Sequence, residues 1–118
     1  MSKSSYIQKA IDWVQKRSVT SLKAKAEGYE EPKIFTNTQT NDVVQADISF
    51  TTQGGSRHFT DIALKEDDTR SLVTKWKLLS IMASLKKGKL HLLAPKGHKM
   101  FTQKLVKRYN INALIHSI

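Results

Sequence analysis

The 118-residue chain contains no cysteine, which excludes disulfides and thiolate metal sites. It has no apolar run long enough to span a bilayer. Its opening MSKSSYIQKA lacks the apolar centre of a signal peptide. Both absences lead us to expect a cytoplasmic protein without a membrane partner. No internal repeat or low-complexity segment interrupts the sequence. With 39% hydrophobic residues and this length, a single domain over 1–118 with a core of its own is expected.

Acidic residues are missing from a large part of the chain. All ten Asp and Glu lie at or before Asp68, alongside nine Lys and Arg. Residues 69–118 carry eleven Lys and Arg and no acid, against an overall net charge of +10. Such asymmetry points to a polyanionic partner, most simply nucleic acid, bound through phosphate neutralisation. A solvated basic surface, an anionic membrane surface or a ribosomal setting would share the same charge.

Periodicity predicts an alternation of elements. Ile7, Ala10, Ile11, Val14 and Leu22 suggest a helix from Ser5 to Glu27, capped by Ser4 or Ser5 and ended by Gly28 and Pro32. A short strand is expected at Lys33–Thr36, then a hairpin of VVQADISFTT (43–52) and RHFTDIALK (57–65). A second helix starts at Glu66, Asp67 and Asp68 and stops at Gly88, with Leu72, Val73, Trp76, Leu79, Met82 and Leu85 on its apolar face. KLHLLAP (89–95) has the continuous apolar character of a central strand. A third helix over Lys96–Asn110 turns Met100, Phe101, Leu105 and Val106 inward, and INALIHSI is a closing strand. The order α-β-β-β-α-β-α-β implies a single α/β domain whose mixed β-sheet is flanked by helices on both faces.

Strand parity carries the candidate chemistry. Side chains alternate between faces, so Phe59, Asp61, Ala63 and Lys65 share one face, opposite Ile62 and Leu64. In the preceding strand Val44, Ala46, Ile48 and Phe50 form the apolar face, and Gln45, Asp47 and Ser49 the other. Two carboxylates and an ammonium on one hairpin are the groups that metal-dependent phosphodiester cleavage employs, carboxylates holding Mg²⁺ and lysine acting on the attacking water. A charged sheet surface would use the same residues.

This order, with an acid on the second strand and a lysine closing the third, resembles the PD-(D/E)xK nuclease superfamily, whose compact members include Holliday-junction resolvases and restriction-type endonucleases. The first half-motif would be Ala46-Asp47, with alanine in place of proline, and the second Ala63-Leu64-Lys65, with alanine in place of the acid. The resemblance implies a restriction-endonuclease-like fold and a DNA-directed, metal-dependent endonuclease. Asp47 and Asp61 would hold Mg²⁺ or Mn²⁺, and Lys65 would position water. Lys75, Lys77, Lys96, Lys99, Lys104 and Arg108 would track phosphates, of DNA rather than RNA. A homodimer is compatible with the sheet edges. The alternative is a catalytically inactive module of the same fold that binds nucleic acid or a protein.

The remaining chemistry is sparse. His58, His91, His98 and His116 have no metal-ligand spacing, and Gly54-Gly55 precedes no helix. Pro95-Lys96-Gly97-His98-Lys99 joins a strand to a helix N-terminus, where a phosphate or a plain turn could sit. The resemblance implies an acid on the first helix, for which Asp12 is the candidate, and a plain surface acid is its other reading; Glu66 reads as a poor metal ligand, Trp76 as core and Trp13 as partly exposed.

Overall fold

In the computed structural model, which describes residues 3–17, 19–65 and 68–118, five strands form the main sheet. They are β1 (Val19–Ala24), β4 (Ile48–Thr52), β5 (Arg57–Ile62), β6 (Leu90–Ala94) and β7 (Ala113–Ser117), in the spatial order β1-β4-β5-β6-β7. β1, β4 and β5 pair antiparallel, whereas β5, β6 and β7 pair parallel. Two short strands, β2 (Ile34–Thr36) and β3 (Val43–Gln45), make a separate antiparallel hairpin. Helix α1 (Ile7–Gln15) packs on one face of the sheet, and α2 (Thr69–Leu85) and α3 (Lys99–Arg108) on the other. The expected mixed sheet with helices on both faces is therefore what forms. If the β2–β3 hairpin is taken as an insertion, the order α-β-β-β-α-β-α-β holds as well.

The first of those three strands is not the segment expected. The helix foreseen through Glu27 ends at Gln15, and Val19–Ala24 is β1. β-branched Val19 and Thr20 lose side-chain freedom in a helix and fit a pleated surface. β1 also gains a full partner in β4, with Leu22 opposite Phe50 and Ala24 opposite Ile48. Leu22 thus buries by period-two alternation, although its spacing from Val14 had suggested a helix. Neither Ser4 nor Ser5 caps α1; both lie in a 3₁₀ turn over Lys3–Ser5, and Tyr6 stands at the N-cap.

The strand foreseen over 43–52 is broken at Ala46-Asp47. Val44 and Ala46 join the core under α2, while Ile48 and Phe50 join the core under α1. Asp47 occupies the bend, its carbonyl accepting the Lys25 N–H at 2.9 Å. One continuous strand cannot send side chains of equal parity to two faces, so the break follows from the two-sided core.

β6 is buried along its whole length, as a strand covered on both faces must be. Asp68 sits at the N-cap of α2 and accepts the Ser71 hydroxyl at 2.8 Å; Glu66 and Asp67, expected to start that helix, lie outside the described residues. Leu85 and Met100, placed inward by periodicity, are both 70% exposed. Leu85 is the last residue of α2 and Met100 lies in the first turn of α3, beyond the reach of the sheet. Gly88 is obligatory for a different reason, since a Cβ there would lie 1.6 Å from the Arg57 carbonyl oxygen at the start of β5.

Candidate functional site

Asp61 points from β5 toward α2 and is fully buried; Asp47, at the bend before β4, is 3% exposed. An ionised carboxylate is stable in such a place only when its oxygens are matched by donors. Consecutive residues of α2 supply one ion pair and one hydrogen bond. The Lys75 ammonium lies 2.9 Å from Asp61 Oδ1, and Trp76 Nε1–H donates to Asp61 Oδ2 at 2.9 Å. Asp47 Oδ2 accepts the Ile62 N–H at 2.9 Å. The Lys3 ammonium bridges the two acids, 3.0 Å from Asp47 Oδ2 and 3.5 Å from Asp61 Oδ2.

The two carboxyls are pushed apart in proton affinity. Burial and the neighbouring Asp61 charge raise Asp47 to about 6, against the opposing pull of Lys3 and Lys75. Burial would raise Asp61 too, but Lys75, Lys3 and hydrogen bonds from Asp47 and Lys75 hold it well below the ordinary carboxylate range. The pair thus acts as a carboxylate at 61 and a proton-retaining acid at 47.

This donor set does not fit a divalent cation as arranged. The Lys3 ammonium stands between the carboxylates where a cation would bind, and two acids facing two ammonium groups leave little net charge to attract one. Both acids are closed to solvent, whereas Mg²⁺ usually retains several waters. No group of three or more His, Asp or Glu suited to a metal occurs among the described residues.

Of the residues singled out from the sequence, Asp47, Asp61 and Lys75 come together. Lys65 does not join them; its side chain is exposed beyond the end of β5, and its backbone N–H donates to His98 Nδ1 at 2.9 Å. Asp12 is exposed and accepts the Gln8 side-chain amide. Lys3 escaped sequence reasoning because it lies 44 residues from Asp47 and no local pattern marks it. The role of Trp76 beyond filling the core was hidden as well, since an indole N–H leaves no periodic signature.

Lys77, Lys96, Lys99, Lys104 and Arg108 are exposed, and none forms an ion pair among the described residues. Lys99, Lys104 and Arg108 lie on α3, and Lys96 in the turn before it. Lys77 of α2 and Arg108 of α3 both approach the Tyr109 ring, at 5.7 and 5.5 Å from its centroid. The outer surface of α3 and the adjoining part of α2 are thus cationic, with an aromatic ring close to two of the cations.

On the opposite face of the sheet, three histidines form a hydrogen-bonded file. His91 approaches His116 Nε2 through Nδ1 at 3.1 Å and His58 Nδ1 through Nε2 at 3.2 Å. Trp13 lies against His91 and His116, and the Arg17 guanidinium covers Trp13 at 3.1 Å from its centroid. His91 spends its two nitrogens on different neighbours, so the three rings do not converge on one point. Burial, then the charges of His58, His116, Arg17 and Lys89, lower His91 to about 3. The file was not foreseen because its members sit on three strands.

No family model matches the chain, and neither a curated protein nor a solved structure shows detectable similarity to it.

Proposed function

We propose that this protein is a nucleic-acid-binding module of PD-(D/E)xK-like architecture that holds phosphates without cutting them. The observation that carries this reading is the acid-free cationic surface of α3 and α2, where Lys77, Lys96, Lys99, Lys104 and Arg108 stand exposed and unpaired among the described residues. Phosphate contacts from such a surface supply sequence-independent affinity. The acid pair lends structural support instead: Asp61 ties α2 to the sheet through Lys75 and Trp76, and Asp47 holds the Lys3 turn against the Ile62 N–H of β5.

A second reading, an Mg²⁺- or Mn²⁺-dependent endonuclease acting on DNA, draws on the adjacency of the two carboxylates and requires Lys3 to leave its place between them. One experiment tests both. A labelled panel of duplex, single-stranded and four-way-junction DNA, with matching RNA, is incubated with the protein with and without Mg²⁺ or Mn²⁺. Binding and cleavage are both read, beside an Asp47→Asn variant. The binding module retains the nucleic acid uncut, and divalent metal acts only through ionic strength. Cleavage that needs metal and vanishes in Asp47→Asn would establish the endonuclease. The absence of both retention at low salt and cleavage would remove both readings.

A further inference from the structure

Away from the acid pair, the α2-facing side of the sheet carries a cleft of about 150 Å³. Its floor is set by strand register. Lys23, Ser49 and Phe59 lie directly across from one another on β1, β4 and β5, and Ser21, Thr51 and Arg57 form the next row. The β2 hairpin supplies the wall, with Lys33 and Phe35 lining the cleft. The Phe35 ring meets Phe59 edge-on, with centroids 5.5 Å apart and planes at 87°. Phe59 is almost wholly buried, so half-buried Phe35 is the ring available to a ligand.

Three cations surround this aromatic corner. Lys33 and Arg57 have no carboxylate partner among the described residues, and Lys23 has only Glu30 at 3.8 Å, a long pair to a well-exposed acid. Lys33 lies 5.6 Å from the Phe35 centroid. Hydroxyls on Ser21, Ser49 and Thr51 add hydrogen-bonding groups to the floor. A flat ring that stacks, polar edges that bond to hydroxyls and flanking negative charge are the properties of a nucleotide. The cleft is well below the 300–1,000 Å³ of ordinary small-molecule pockets, so it matches one ring system and not a whole cofactor.

We infer that this cleft takes a single unpaired base of a nucleic-acid strand, with the flanking phosphates on Lys23, Lys33 and Arg57. A paired base inside a duplex shows no free face, whereas an unpaired one can be splayed out and stacked on an aromatic side chain. Phe59 precedes Asp61 by two residues on the same face of β5, so the cleft opens about 7 Å along the strand from the acid pair. The inference rests on the nucleic-acid reading above and names its substrate as single-stranded.

The test is fluorescence anisotropy on a labelled 12-nucleotide single strand and on its duplex at the same salt, with wild type, Phe35→Leu and Phe35→Tyr. Phe35→Leu keeps apolar bulk and removes the π-face, so it should weaken single-strand binding about 5- to 150-fold, the range of one stacked base, and leave duplex binding unchanged. Phe35→Tyr should restore the single-strand affinity. Arg57→Gln, on an exposed side chain, serves as a second probe should Phe35→Leu misfold; it should lower the single-strand salt slope by about 0.7. Salt-sensitive binding of both nucleic acids with no response to Phe35→Leu or Arg57→Gln overturns this inference alone. Absence of binding to either nucleic acid overturns the nucleic-acid reading with it.

Discussion

Asp47 shows what a buried acid costs when its charge is only partly matched. Its folded-state proton affinity is raised to about 6, from an ordinary value of 3.8. Its contribution is therefore fully favourable below pH 3.8 and is lost as pH rises through 6. Asn mimics the protonated form, preserves an acceptor for the Ile62 N–H and carries no charge to desolvate. Asp47→Asn should leave stability near wild type at pH 4 and gain on it by up to about 3 kcal/mol by pH 8. Urea melts of both proteins across that range measure the difference, and parallel curves would sink the assignment. Asp61 runs the other way: its depressed proton affinity contributes stability above pH 3.8 that is lost below it.

Among the elements, the histidine file couples β5, β6 and β7 to α1 through Trp13 and Arg17. Neutral rings can donate along the file, whereas charging His91 puts a cation amid His58, His116, Arg17 and Lys89. A histidine depressed in the folded state contributes stability present above pH 6.5 and lost as pH falls toward 3. At pH 5 His91 alone withdraws about 2 kcal/mol relative to neutral pH. His91→Leu should remove that acid loss, so that its stability falls by about 2 kcal/mol less than wild type between pH 7.5 and 5. Thermal melts at the two pH values decide, and an equal loss in both proteins would place the acid sensitivity elsewhere.

For the molecule as a whole, these two slopes oppose each other. Between about pH 4 and 6 Asp47 loses stability with rising pH while His91 regains it, so the wild-type profile is flatter than that of either variant. Charge at this scale governs association instead. The +10 net charge, concentrated after Asp68, makes binding to a polyanion salt-dependent. Replacing Lys96, Lys99, Lys104 and Arg108 together by Gln should weaken duplex binding uniformly across sequences. The slope of log K against log salt should become shallower by about 0.9 for each phosphate contact removed. An unchanged slope would place the interface away from α3.

Much of the architecture was legible in the sequence because it rests on local pattern. The apolar run of β6, the side-chain parity of β5 and the stripe of α2 each depend on neighbours within a few residues, and each is where it was expected save Leu85 at the end of α2. The parity that sets Asp61 opposite Ile62 held for the same reason. Tertiary structure decided the rest. Val19–Ala24 became a strand because β4 offers it a partner, and the 43–52 segment broke because its apolar residues serve cores on both sides of the sheet. Asp61 lies beside Lys75 and Trp76 because α2 folds back across β5, and Lys3 reaches both acids from the opening turn of the chain. Periodicity reports which face a residue occupies within its own element. Which charges meet across elements depends on how those elements pack, and no window of sequence contains that.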